Sequence, residues 1–223
     1  KEKKEKDKAY IRKVKRTLLL LLEVLKEKLR LQNQTYHNLL KLTNNYIDKE
    51  NEFQDKCARY QKRVVEPLKH VESENFDFAV DYSLQDYENE IRQNEDIESL
   101  ESLVDSLVDI IYHLEIDEGY LQNKYELIKM PLQIQLLKRK IQILDDYFSR
   151  KKVLFGRKED ELEKTILDAE QESTLQNIVS FEHYKSNEEK RIDEKYTVIP
   201  DLDIRTVGDF LVEFDNLKVS EPV

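Results

Sequence analysis

Of the 223 residues, only 3 are Gly and 4 are Pro, whereas 38% are charged and 39% are hydrophobic. Such a shortage of turn-forming residues is typical of long helices or coiled coils, and it argues against active sites that need tight glycine turns. The net charge is −10, no apolar run is long enough to span a bilayer, and Cys57 has no second cysteine to pair with. We therefore expect an intracellular location, cytoplasmic or nuclear, with Cys57 as a buried structural thiol.

A seam of apolar residues at steps of three and four predicts a first long helix over about residues 8–71. The seam consists of Ile11, Val14, Leu18, Leu21, Leu25, Leu29, Tyr36, Leu39, Tyr46, Phe53, Cys57, Tyr60, Val64, Leu68 and Val71. This repeat is typical of a helix that buries one narrow stripe against partner helices. A second stripe lies beside the seam, and we expect another chain to cover it; its members are Leu19, Leu22, Leu40 and Ile47.

Similar periodicity predicts a second helix over about residues 84–149 and a shorter third over about 159–190. Gly119 and Pro131 should weaken or bend the second helix, because proline lacks a backbone donor. Two helices of similar length joined by a short connector most simply form an antiparallel hairpin. The predicted fold is therefore all-α, an elongated, coiled-coil-like antiparallel bundle of two long helices and a shorter third, forming one domain over residues 1–195.

Residues 196–223 form a separate predicted element, an extended segment followed by a short amphipathic helix with a docking role. Its apolar face consists of Val207, Phe210, Leu211, Phe214 and Leu217. A helix this short is marginal in water, so the face requires a groove, which we expect a partner protein to supply.

Charge is unevenly distributed along the chain. Residues 1–30 carry 12 basic and 5 acidic side chains, residues 72–123 carry 1 and 16, and residues 138–158 carry 8 and 2. In an antiparallel hairpin the two basic stretches would meet at one end, forming a candidate anionic-surface contact or a solvated helix face. The residues of that candidate contact are Arg150, Lys151, Lys152, Arg157 and Lys158. The absence of aromatic platforms and of nucleic-acid motifs argues against nucleic acid as the partner.

Residues suited to catalysis or metal binding are scattered rather than clustered in the sequence. The chain has no glycine-rich phosphate loop, no Cys-x-x-Cys pair and no His-Glu-x-x-His motif. Its histidines lie far apart, with no Cys or second His at metal spacing near any of them: His37, His70, His113 and His183. The sequence therefore predicts no catalytic residue, no metal, no cofactor and no enzymatic activity.

Two functions fit these observations. The leading prediction is a non-enzymatic helical scaffold subunit of an intracellular complex, binding other helical subunits as a homo- or hetero-oligomer. Alternatively, the length and the three predicted helices resemble the BAR superfamily of membrane-shaping domains. That resemblance implies an antiparallel three-helix bundle that dimerises and contacts anionic membranes through the basic residues named above. The sequence departs from that pattern in its shorter third helix and its acidic first turn.

Overall fold

A computed structural model of the chain describes residues 2–73, 84–150 and 158–197. These residues are 88% helical and contain no strand, so the all-α prediction is confirmed. Their α-helices are α1 (Glu2–Gln61), α2 (Leu84–Gln93), α3 (Ile97–Glu115), α4 (Glu118–Arg150), α5 (Lys158–Glu172) and α6 (Phe181–Thr197). A short 3₁₀ helix, Thr174–Asn177, lies between the last two.

The predicted second and third helices are both interrupted, and capping side chains explain where. Asp96 accepts a hydrogen bond from the Ser99 amide and begins α3, while Asp117 accepts one of 2.9 Å from the Tyr120 amide and begins α4. Ser180 begins α6 in the same way. These short polar side chains satisfy amides that the first turn of a helix leaves free, so they start new helices within an apolar pattern that looks continuous. Pro131 lies inside α4 without ending it.

The chain divides into two compact units. The first unit contains Lys1–Gln34, Asn75–Leu121 and Lys185–Val223, and the second contains Thr35–Glu74 and Gln122–Tyr184. Helices α1, α4 and α6 each contribute residues to both units. The predicted domain boundary at residue 196 stays a prediction, since residues 198–223 lie outside the described part.

The first unit has a core in which α1 is buried on more than one side. Its fully buried members are Leu18, Leu21, Leu22, Val24, Leu25, Ile91, Leu100, Val104, Leu107 and Ile111. The expectation that Leu22 and Ile47 belong to a stripe left for another chain is wrong, because both are buried within this chain. Since helices surround α1 here, the narrow-seam interpretation underestimates how much of its surface is covered.

The second unit has a smaller core made by α4, α5 and the end of α1. Buried Ile143, Leu144 and Leu162 contact Phe53 and Cys57. The Cys57 thiol is free and half-buried, and burial raises its pKa, as expected for a structural thiol.

Helices α1 and α3 run in the same direction in the first unit, so the predicted hairpin is wrong for this pair. The Tyr10 hydroxyl of α1 donates to the Glu101 carboxylate of α3 at 2.6 Å, whereas Gln32, farther along α1, donates to the Leu114 carbonyl of α3 at 2.8 Å. Contacts therefore advance along both helices together. The physical reason lies in the connector, because residues 63–73 run back along α1 instead of making a tight turn.

Antiparallel pairing does occur elsewhere in the bundle. In the second unit, Lys140 of α4 contacts Glu170 of α5 at 2.5 Å, and the Tyr125 hydroxyl donates to the Val179 carbonyl at 2.7 Å. Residues later in α4 therefore contact residues earlier in the segment that follows it, so α4 and α5 are antiparallel. The hairpin that was predicted for the first two long helices thus occurs between α4 and α5.

Candidate functional site

Helix α1 ends ten residues before the predicted end at residue 71, and a left-handed residue ends it. Lys62 has φ 53°, and the Arg63 amide donates to the Ala58 carbonyl at 3.0 Å. This six-to-one hydrogen bond is the signature of a Schellman motif, which closes a helix and redirects the chain. Pro67 then prevents helix from resuming, because its ring is incompatible with a helix interior.

Residues 63–73, here called the strap, run back along α1 and are held by two asparagines. The Asn51 side chain accepts from the Leu68 amide and donates to the Leu68 carbonyl, both at 2.8 Å. Asn44 makes the same pair of bonds with Val71, at 2.8 Å from the amide and 3.1 Å to the carbonyl. Each asparagine therefore satisfies both main-chain groups of one strap residue.

The spacing of the two asparagines matches the spacing of the strap residues that they hold. Seven residues separate Asn44 from Asn51, a rise of about 10.5 Å along a helix. Three residues separate Leu68 from Val71, which is about 10 Å in extended chain. The two repeats coincide, so one helix face can bind an extended backbone at two points without distorting either partner.

Asp48 lies between the two asparagines on the same face of α1. Its Oδ1 atom is 2.5 Å from Nε2 of His70, and both side chains are more than half exposed, at 61% and 56%. Positions 44, 48 and 51 follow the four-then-three step that keeps side chains on one face of a helix. These three residues, Asn44, Asp48 and Asn51, are here called the asparagine clamp.

The strap is held almost entirely through polar contacts. Val64, Leu68 and Val71 are 101%, 54% and 47% exposed, and Val65 is the least exposed residue of the strap. The prediction that Val64, Leu68 and Val71 extend the buried seam is therefore wrong, since α1 ends before them. Because so little apolar area is removed from water, the hydrophobic effect contributes little to holding the strap in place.

A second polar cluster lies in the first unit and is buried. Lys28 of α1 and Lys195 of α6 both contact the Glu115 carboxylate of α3, with side-chain exposures of 6%, 8% and 8%. The Tyr196 side chain also helps to lower the pKa of that carboxylate. We call Lys28, Glu115 and Lys195 the ion cluster. It connects helices α1, α3 and α6.

The pKa of Glu115 is lower than its ordinary value of 4.5. Burial by itself raises that pKa, because it penalises the charged form, but the two ammonium groups, the hydrogen bond from Lys28 and the nearby Tyr196 side chain outweigh it. The carboxylate is thus ionised at neutral pH, and the ion cluster carries a buried charge pair with an additional lysine.

The predicted site residues fall mostly outside the described part of the chain. Arg150 is the last residue of α4, and Lys158 is the first residue of α5. The other residues of the candidate anionic-surface contact lie outside the described part of the chain: Lys151, Lys152 and Arg157. So do all five residues of the predicted docking face: Val207, Phe210, Leu211, Phe214 and Leu217. Both sets of residues stay predictions.

The expected meeting of the two basic stretches at one end stays a prediction, because residues 151–157 of the second stretch lie outside the described part of the chain. The basic start of α1 belongs to the first unit, where Lys15 forms an ion pair of 3.0 Å with Glu95 of the acidic stretch. Residues 138–150 belong to the second unit, where Lys56 forms an ion pair with Asp145. Within the first unit, the basic start of α1 is thus joined to the acidic stretch through Lys15 and Glu95.

Sequence reasoning missed the asparagine clamp, although a signal was present. Asn44, Asp48 and Asn51 are weak helix formers, because their side chains compete for backbone hydrogen bonds. Three of them on one face of a long helix indicate a polar role for that face. Within the described residues, His, Cys, Asp and Glu form no group of three that could hold a metal ion. No helix there is long and apolar enough to cross a membrane.

No protein-family model, no curated protein and no solved structure matches this chain. Its function is therefore inferred from its own residues and their geometry.

Proposed function

We propose that this chain is a non-enzymatic helical scaffold or assembly subunit of a multiprotein complex, and that it acts by binding segments of other proteins. The observation that carries the proposal is the asparagine clamp, in which a helix face binds an extended segment through its main chain. Paired hydrogen bonds to both groups of a residue are a means of recognising polypeptide, and they supply no acid, base or nucleophile for a reaction.

Exposed apolar side chains on the strap support the same proposal. Val64, Leu68 and Val71 lie within eight residues of one another on a segment that the helix holds in place. Single exposed apolar residues are ordinary on a protein surface, but a group concentrated on one short segment is typical of contact surfaces. The predicted docking face at residues 207–217 would add a helix-in-groove contact to this surface.

The BAR-like alternative is not favoured by any contact in the described residues. The same-direction pairing of α1 with α3 differs from the antiparallel three-helix bundle that the resemblance implies. Cosedimentation of the full chain with anionic vesicles tests it directly, and we expect no binding.

Capture of binding partners by variants of the full chain tests the scaffold proposal. One variant carries Asn44→Ala with Asn51→Ala, and another carries Phe210→Ala with Phe214→Ala. Asn45→Ala is the matched control, because Asn45 is an exposed asparagine next to the clamp. We expect at least one double variant to lose a partner that the control retains. Identical partner sets for all variants, together with a stable monomer in light scattering, would contradict the proposal.

A further inference from the structure

We infer that the asparagine clamp is a binding site for an extended peptide segment of a partner protein, and that the strap occupies this site until such a segment replaces it. The inference rests on the proposed function, since it names the ligand class by which the chain would recognise a partner. It assigns Asn44 and Asn51 to the ligand's main chain and Asp48 to one of its side chains.

The geometry of the bound strap defines the ligand. Because each asparagine contacts only an amide and a carbonyl, any residue except proline fits at the two held positions. Those positions lie three residues apart, and the residue before the second one faces Asp48. An imidazole, ammonium or guanidinium group satisfies a carboxylate there. The ligand class is thus an extended segment with two non-proline residues three apart and a His, Lys or Arg immediately before the second.

Replacement of the strap is favoured because the strap has few buried side chains. Its side chains are largely exposed, so no packed core has to open when it leaves. Weakly buried segments belong to the least stable part of a protein and open locally without global unfolding. The strap also leaves α1 at a defined point, because the left-handed conformation of Lys62 ends the helix there.

Recognition through the main chain does not depend on whether the segment belongs to the same chain. The same four hydrogen bonds can form with a peptide supplied separately, and the attached strap competes only through its high local concentration. A partner segment that buries apolar side chains in addition to making these bonds gains stabilisation that the strap does not have. Such a segment therefore displaces the strap when its concentration is sufficient.

Binding of a fluorescent peptide with the sequence of residues 63–73 tests the inference. The protein is the full chain carrying Leu68→Pro and Val71→Pro, which removes the two strap amides that donate to the clamp. We expect saturable binding by fluorescence anisotropy, with wild-type chain binding about tenfold more weakly, since its own strap competes. Circular dichroism establishes that the helices of the variant are intact.

Clamp variants and peptide variants define the contacts. Adding Asn44→Ala and Asn51→Ala to the proline variant should abolish binding, whereas adding Asn45→Ala should not change it. A peptide with His70→Ala should bind at least several-fold more weakly. Absence of saturable binding to the folded proline variant, or equal binding after loss of both clamp asparagines, would overturn the inference.

A second measurement keeps the inference testable if the proline variant does not fold. In wild-type chain, a large excess of the unlabelled peptide should accelerate hydrogen exchange at the Leu68 and Val71 amides, because it displaces the strap. Unchanged exchange at both amides would overturn the inference. Peptide binding is measured without any natural partner, so it can succeed even where partner capture fails, and the two proposals fail separately.

Discussion

The ion cluster of the first unit and the asparagine clamp of the second unit both use polar side chains to attach another segment to α1, but they differ in their exposure to water. Lys28, Glu115 and Lys195 are almost completely buried, whereas Asp48 and His70 are more than half exposed. A buried charge that loses its partner cannot be solvated, while an exposed group that loses its partner binds water instead. The difference indicates that the ion cluster is a permanent part of the fold and the clamp is a reversible contact.

The largest expected effect comes from removing the anion of the ion cluster. Glu115→Ala leaves the buried lysines Lys28 and Lys195 without their carboxylate, so we expect the free energy of unfolding to fall by about 3–5 kcal/mol. Urea unfolding followed by circular dichroism measures this loss. A loss below about 1 kcal/mol would show that these lysines reach water, and the contrast between the two clusters would be wrong.

A core truncation in the same unit provides a scale for that loss. Leu25 is fully buried, and Leu25→Ala should cost about 2–5 kcal/mol through lost transfer energy and the cavity left behind. Asp105 is exposed on α3, and Asp105→Ala should change stability by no more than about 0.5 kcal/mol. Thermal unfolding that ranked these two variants in the opposite order would show that the buried face of the first unit is assigned incorrectly.

The stabilisation from Glu115 should depend on pH, with a sign set by its lowered pKa. Because the folded state holds the carboxylate ionised more strongly than the unfolded state does, the stabilisation is complete above the ordinary pKa of 4.5. It is lost progressively as the pH falls below 4.5 and through the lowered pKa of the folded state. The stability difference between wild type and Glu115→Gln should therefore shrink as the pH falls below 4.5. A difference that grows in that range would contradict the assignment.

The smallest expected effect on global stability comes from the clamp. Asn51→Ala removes two exposed hydrogen bonds to Leu68, so global unfolding should change by about 1 kcal/mol or less. The local effect should be much larger, with faster hydrogen exchange at the Leu68 amide and unchanged exchange in α3. Asn45→Ala should leave both quantities unchanged, and similar exchange in the two variants would mean that Asn51 does not hold the strap.

The periodic pattern of the sequence predicted helix content well and helix direction badly. Steps of three and four placed Leu18, Leu21 and Leu25 in a core, where they are buried. The same steps continue through Val64, Leu68 and Val71, so periodicity alone did not show that α1 ends at Gln61. That end depends on the left-handed conformation of Lys62. Residues other than glycine rarely adopt this conformation, so the sequence does not indicate it.

The distribution of charge along the chain could have predicted that the start of α1 pairs with the acidic stretch, but the hairpin prediction did not take it into account. The basic first 30 residues and the acidic residues 72–123 attract each other, and Lys15 of the first stretch is joined to Glu95 of the second. The clamp was harder to predict, because it depends on two segments about 20 residues apart in sequence meeting in matched register. Its residue types were visible on one helix face, but their ligand was not.

Native-state hydrogen exchange at individual amides of the full chain tests the contrast between the two clusters most directly. We expect the Leu68 and Val71 amides to exchange through local opening, far faster than the Leu107 and Ile111 amides of the α3 core. We also expect Asn44→Ala with Asn51→Ala to accelerate hydrogen exchange only at the strap amides. Strap amides protected as strongly as those of α3, and exposed only by global unfolding, would contradict a reversible clamp.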